Sequence, residues 1–386
     1  MRSPVYIHGM GLITPLGRTL PETFAGIMAG RRVTDAGVVP DHFLELAARQ
    51  IARRNGNCGL PENLDRSIQL GLHAAFAACD AAEWPAEVLS AEDTGIFAAT
   101  SKGPAIAWLA ALDAIRRPGG SELNFGQAWH AAMGTGAMGT ALGALLGCRG
   151  PVHTTVAACA GGLAAVHRAV QALNAGDCRR ALVAAADSSL HSLFEGCYDN
   201  LGVLAAREPD GHRRCHPLAG GAGGFVVSQA GAAVLLSAEK PRDITVAAMT
   251  IEATWLGAEG LHIVGADPRG TRLAEGINAV RCVHKSDPAR ILFVHAHAAG
   301  TQHDAVELRA IQKVLDGVPV FSHKQWLGHS LGASGLAGLT LSAECHRQGR
   351  TLTGEILGGA GDSIIIAQGF GGHIGICRLA CGRQPA

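Results

Sequence analysis

The stretch from Thr154 to Ala186 constrains the fold of this 386-residue chain more than any other. Thr154-Thr155-Val156-Ala157-Ala158 reads as a strand, Cys159 falls at the bend, residues 160–175 form an Ala-rich helical run closed by Gly176-Asp177, and residues 180–186 are a second apolar strand. Strand, helix and strand in that order need a crossover connection that lays the helix over a sheet face. The unit therefore predicts an α/β protein with a parallel sheet covered on both sides. Residues 5–14 and 94–100 read as further strands, 20–30 and 65–82 as helices, and Gly119-Gly120-Ser121 as a loop. After a loop rich in Arg, His, Pro and Gly (206–221) come two apolar runs, 224–227 and 232–236. The alternation then resumes, with strands at 244–253, 290–295, 318–321, 363–367 and 374–379 and helices at 271–283, 304–315 and 332–348.

A chain of this length exceeds what one hydrophobic core usually serves, which predicts two halves, divided here as 1–238 and 239–386. Phe225-Val226-Val227-Ser228-Gln229-Ala230-Gly231 is similar to Ile364-Ile365-Ile366-Ala367-Gln368-Gly369-Phe370, which suggests an internal duplication. Although 48% of residues are apolar, every run is broken well before the roughly 18 residues a spanning helix needs. The N-terminus lacks the pattern of a signal peptide. Eleven cysteines without CxxC pairs suggest free thiols, most of them buried filler, in a reducing compartment, so the cytoplasm is the expected location. Net charge is zero and nothing resembles the basic stripe that nucleic acid requires.

Cys159 sits where a strand stops and a helix starts, flanked by Ala157-Ala158 and Ala160-Gly161-Gly162. The small neighbours leave room for a substrate. The positive end of the helix dipole is expected to lower the thiol below its usual pKa of about 8.5. The plainer reading of one cysteine among eleven is a buried apolar thiol. His297 and His329 lie at the carboxyl ends of expected strands, where open α/β sheets place their sites. With 18 histidines present, either one alone reads as readily as a surface or core residue. No short ligand spacing suggests a metal, and none is expected.

Taken together, the strand-to-helix Cys159, the strand-end His297 followed by Gly300-Thr301 and Asp304-x-x-Glu307, the run from Ser322 and Lys324 through Gly328-His329 to Gly335, and Gly369-Phe370-Gly371-Gly372 resemble the β-ketoacyl-acyl carrier protein synthases. The resemblance covers the chain from end to end, with the motifs in the family's order. It implies a thiolase-like fold of two duplicated α/β halves in five αβαβα layers, usually a dimer, with no cofactor. It also implies residue roles. Cys159 would take an acyl group from a carrier thioester, and His297 and His329 would stabilise the enolate formed when a carrier-bound malonyl group loses carbon dioxide. Backbone N–H groups of Cys159 and Phe370 would form the oxyanion hole. Lys324, Asp304 and Glu307 would orient the histidines, Phe370 would gate the pocket, and Thr301 would bind the pantetheine arm. A Cys–His–His set resembles the decarboxylating, elongating group rather than thiolases or synthases that start from coenzyme A primers.

The chain also departs from the family's pattern. Its His-Gly-Thr is His297-Ala298-Ala299, the loop from Thr301 to Asp304 is one residue short, Arg-Pro-Phe-Asp is His216-Pro217-Leu218-Ala219, and Gly-Glu-Gly is Ser228-Gln229-Ala230. The implied function is carbon-chain condensation in fatty acid or polyketide biosynthesis, and these changes set the chain apart from an ordinary fatty acid elongation enzyme and suggest a specialised polyketide or polyene branch. They also keep open a second reading, a chain-length-factor-like partner in a heterodimeric ketosynthase. The implied partner is an acidic acyl carrier protein, for which Arg53, Arg54, Lys102, Arg116 and Arg117 are candidate docking cations.

Overall fold

The computed structural model describes residues 4–54, 59–60, 64–117, 129–220, 223–241, 249–282 and 290–382. The expected loop at Gly119-Gly120-Ser121, the first residues of the strand expected at 244–253 and the side chains of Arg53 and Arg54 lie outside the described residues. Among the described residues ten strands form one sheet: β1 (Val5–Ile13), β2 (Thr94–Thr100), β3 (Val152–Val156), β4 (Arg180–Asp187), β5 (Ala230–Ser237), β6 (Met249–Ala258), β7 (Ile291–His295), β8 (Val320–Phe321), β9 (Gly361–Gly369) and β10 (His373–Cys381).

Their order is β3-β2-β4-β5-β1-β6-β10-β9-β7-β8, so the last five strands repeat the arrangement of the first five about the β1–β6 junction. That junction is slight, pairing only Val5 with Ile251 and Tyr6 with Thr250. Helices Gly161–Ala175 and Ser334–Gln348 pack on each other and on strands of both halves. Helices Arg66–Ala82 and Ala137–Leu146 cover the outside of the first five strands, and Thr271–Arg281, backed by His303–Val314, covers the second five. The result is five alternating layers of helix and sheet, the thiolase-like arrangement.

Local chemistry explains the elements. Asp65 accepts the Ser67 N–H at 2.8 Å and starts the Arg66–Ala82 helix, which is buried along most of its length between β1, β5 and β4. The two central helices are each 15 residues long and end on left-handed glycines, Gly176 and Gly349. Because they are clamped between sheets, they can approach only through small residues. A Cβ on Gly162 would stand 2.8 Å from the Leu336 amide nitrogen, and one on Gly335 would stand 3.1 Å from Leu163.

Two expectations need correction. The sheet is mixed rather than parallel: β3-β2-β4 and β8-β7-β9 are parallel, but β5, β1, β6 and β10 run antiparallel to their neighbours. Strands buried on both faces read as continuous apolar runs in either direction, so their hydrophobicity carries no sign of orientation. The matched pair of segments was also misaligned. Ile364–Gly369 belongs to β9, whose counterpart by strand order is β4, whereas Phe225-Val226-Val227 is no strand and makes only isolated bridges to Leu204 and His329. Both segments are apolar runs that lead to a glycine, but only Ile364–Gly369 is paired in the sheet along its length, whereas the first segment joins it only at Ala230-Gly231, the start of β5.

Candidate active site

The carboxyl ends of the two parallel triplets meet around one point. Cys159 lies just past β3 in a short 3-10 turn, Ala158–Ala160, that leads into the Gly161–Ala175 helix. Ala158 holds a φ of +46°, a left-handed conformation uncommon outside glycine, and so turns Cys159 sharply out of the strand. The second half repeats the device: Leu331 has a φ of +45° in the turn Leu331–Ala333, which leads into Ser334–Gln348. His329 stands two residues before Leu331, so the pseudo-symmetric turns bring nucleophile and imidazole together.

The His329 Nε2 is 3.2 Å from the Cys159 Sγ. His329 is fixed from behind, its N–H donating to the Val226 carbonyl at 2.7 Å and its own carbonyl accepting from Ser228 at 3.0 Å. The Phe225 ring meets it edge-on at 5.0 Å and the His297 ring at 5.3 Å. Burial first, and then the Lys324 charge, hold His329 and His297 well below the usual histidine range, so both imidazoles are neutral at physiological pH. The His329 Nδ1 is buried without a hydrogen-bond partner, so no neighbour locks either tautomer.

His297 stands two residues beyond β7, at the start of a loop stitched by two carboxylates. Glu307 accepts the His297 N–H at 2.7 Å on one oxygen and the Ala298 N–H at 2.8 Å on the other. Asp304 accepts from the amides of Ala299 (3.0 Å), Gly300 (2.8 Å), Thr301 (3.2 Å) and Leu218 (3.0 Å). Lys324, 1% exposed, donates from Nζ to the His297 carbonyl. Glu307, Asp304 and Lys324 thus grip the backbone that carries His297 and do not touch either imidazole. Burial, then Asp304, push Glu307 up to about 7, while burial pulls Lys324 down.

Phe370 follows β9 and packs, with Tyr198, Cys215, Phe225, Val227, Ala299 and Leu331, in the apolar cluster that holds Cys159. The preceding Gly369 lies against the Cys159 amide; a Cβ there would be 2.9 Å from that nitrogen. Thr301, half-buried, caps the Asp304 end of the loop rather than reaching Cys159. One electrostatic expectation fails. Burial pushes the Cys159 thiol up to about 11, and the ammoniums of Lys102 and Lys324 only partly offset it. The helix start orients the sulfur, but desolvation by the surrounding apolar side chains keeps it protonated at rest.

Residues 2–241 match the family model of the beta-ketoacyl synthase N-terminal domain and residues 249–351 that of the C-terminal domain. The chain belongs to the beta-ketoacyl synthase family. It is 32% identical over 193 residues to 3-oxoacyl-[acyl-carrier-protein] synthase 2 of Mycobacterium leprae, an overlap of 48% of this chain and 45% of that protein, so the match spans about half the relative's length. Its fold is shared by a type II polyketide ketosynthase solved with its acyl-carrier protein and bound to the hexaketide (TM-score 0.78, 19% identity, 98% of this chain and 100% of that one). The ishigamide ketosynthase/chain length factor is equally similar (TM-score 0.78, 21% identity, 98% and 99%).

Against the pattern of its family, the departures of this chain have structural consequences. Ala299 fills the Cys159 cluster in place of a hydroxyl. Gln229 is buried, accepting the Val39 N–H at 2.9 Å and donating to Ser188 Oγ at 2.9 Å, a double role that a carboxylate could not play. Lys102, offered above as a docking cation, does not face solvent with Arg116 and Arg117. It is largely covered, donating to Ser101 Oγ at 3.0 Å and Ser189 Oγ at 3.3 Å and lying over the rings of Phe194 and Tyr198. Asp187, 2% exposed at the end of β4, accepts from Ser101, Ser189 and the Gly332 amide. Sequence reading missed Lys102, Asp187 and Tyr198 as parts of this site. The available signal was the strand-end rule itself: Ser101-Lys102 follow β2, which pairs with β3, and Asp187 closes β4 on the other side of β2. Among the described residues no group of His, Cys, Asp and Glu is arranged to hold a metal ion, and no helix is long and apolar enough to cross a membrane.

Proposed function

We propose that this chain is a decarboxylating β-ketoacyl synthase, acting in two half-reactions on acyl groups carried by the phosphopantetheine arm of an acyl carrier protein. The observation that carries the reading is the 3.2 Å contact between Cys159 Sγ and His329 Nε2 in a pocket whose second imidazole, His297, is neutral. In the first half-reaction Cys159 attacks the carrier thioester while its proton passes to His329 Nε2. The S–C bond forms and the carbonyl oxygen takes the negative charge against the N–H groups of Cys159 and Phe370. Collapse expels the pantetheine thiolate, which recovers the proton from His329. In the second, a malonyl thioester loses carbon dioxide, the electron pair of the broken C–C bond becoming an enolate whose oxygen accepts from His297 and His329. The enolate carbon then attacks the acyl-Cys159 carbonyl, releasing the Cys159 sulfur as a thiolate that takes up a proton from solvent and leaving a chain two carbons longer on the carrier. His329 must accept in one step and donate in the other, which suits a ring whose Nδ1 has no partner to lock its tautomer.

The repeated strand order favours a division into halves near residue 238. The open edge strand β3, with Val152 and Val156 exposed, favours a dimer with a second copy or a related ketosynthase subunit. The proposed setting is the cytoplasm. The test is incubation of the purified protein, alone and with a candidate partner subunit, with an acyl-carrier donor, followed by intact mass measurement. An acyl adduct is expected on the wild type and is expected to be missing from Cys159→Ala. An unmodified wild-type Cys159 in both settings would overturn the assignment.

A further inference from the structure

Lys102 is a largely covered cation in what the condensing reading requires to be an acyl pocket. Strand order makes β2 the counterpart of β7, and Lys102 stands two residues past the end of β2 as His297 stands two past the end of β7. Its ammonium has three protons. Two are directed to Ser101 Oγ and Ser189 Oγ, and the group lies 5.2 Å from the Phe194 ring centroid and 5.5 Å from that of Tyr198. Tyr198 is 5% exposed, its ring meets Phe225 at 5.6 Å, and it shares the apolar cluster of Cys159. Its hydroxyl is buried, and the polar group directed at it is the Lys102 ammonium. A pocket shaped for a plain alkyl chain gains nothing from an ammonium and a phenol largely withdrawn from water, both of which are costly to bury.

We propose that Lys102 and the Tyr198 hydroxyl recognise a neutral oxygen on the acyl group bound at Cys159, so that the enzyme selects oxygenated acyl chains, such as 3-oxoacyl groups, over plain alkyl ones. The charge count decides for a neutral oxygen over a carboxylate. Asp187, joined to Lys102 through the hydroxyls of Ser101 and Ser189, already balances the ammonium, and a second carboxylate would leave a buried negative charge. Burial acts to neutralise Lys102, but Asp187 and then Tyr198 outweigh it and hold the group above its usual value, so it remains a donor. The inference rests on the condensing-enzyme reading.

The test compares rates of Cys159 adduct formation, by intact mass, from pantetheine thioesters of hexanoate, 3-oxohexanoate and adipate. Wild type is expected to favour 3-oxohexanoyl over hexanoyl by at least about tenfold, the worth of one charge-assisted hydrogen bond. In Lys102→Met that ratio collapses to near one. The isosteric Tyr198→Phe, which retains the ring packing, lowers it several-fold. A wild-type preference for hexanoyl or adipoyl overturns the proposal. So does a Lys102→Met variant that slows all donors equally, since the ammonium would then act on the thiol and not on the acyl group. If no donor modifies Cys159 while iodoacetamide still alkylates it, the condensing reading itself falls and takes this one with it.

Discussion

Replacing Glu307 with glutamine tests whether the carboxylates of this site act by holding backbone. Both Glu307 oxygens accept, from the His297 and Ala298 amides at 2.7 and 2.8 Å. Glutamine keeps the shape but has one acceptor oxygen, and its NH2 would face the second amide donor to donor. The buried amide left without an acceptor costs about 1–3 kcal/mol of stability. The larger effect falls on catalysis, because a displacement of about 1 Å in a positioned group costs on the order of 10²-fold, or about 2.7 kcal/mol in the barrier. We expect malonyl-carrier decarboxylation, followed by mass measurement of the acetyl product, to fall about that far in Glu307→Gln. Cys159 alkylation, which does not use His297, is expected to stay within about threefold.

The same reasoning gives a pH dependence. Burial and Asp304 push Glu307 up to about 7, so protonation below that point should mimic the glutamine, and wild-type decarboxylation should decline as pH falls through about 7. The histidines remain neutral there and contribute no limb. The stability effect has the opposite sign: a raised folded pKa means the native state holds a proton that the unfolded chain releases. This group's contribution is therefore present below its ordinary value and lost as pH rises through about 7. Decarboxylation in Glu307→Gln within threefold of wild type at pH 8, or an unchanged low-pH limb in the variant, would refute the argument.

The rate of Cys159 alkylation by iodoacetamide should keep climbing by about tenfold per pH unit between pH 8 and 9.5, because burial places the thiol near 11; a plateau below pH 8 would show that the helix start dominates. Gly162→Val should lower the melting temperature and slow Cys159 alkylation, since its Cβ would meet the Leu336 amide nitrogen at 2.8 Å and overpacking costs about 1–3 kcal/mol; unchanged melting would mean that the central helices can separate freely.

The duplication is legible in the sequence at the starts of the two central helices. Gly162-Leu163-Ala164 and Gly335-Leu336-Ala337 occupy equivalent positions in the two central helices, each four residues after a left-handed residue. The similarity of 225–231 to 364–370 is the weaker mark, because hydrophobic runs are common and the small residues that permit close helix contact are more specific.

The boundaries of β2, β4 and the central helices, and the choice of Cys159, His297 and His329, were legible because each depends on a short local pattern: an apolar run, a glycine stop, a small-residue bend, an ordered motif. Strand direction was not, because a strand buried on both faces looks the same in either sense. Nor was the state of Cys159. Its helix position argued for a thiolate, whereas Phe225, Tyr198, Val227 and Leu331, supplied by three distant segments, set the desolvation that keeps it a thiol. Lys102 shows the same division most clearly. In the sequence it is a lone cation with the look of a solvated charge, and only the pairing of β2 between β3 and β4 turns it toward the nucleophile. Sequence fixed which groups could do chemistry, since reactivity begins with residue type and local backbone. Tertiary structure decided which of them share a desolvated space, because electrostatics at a buried site is set by neighbours that are close in space and far apart along the chain.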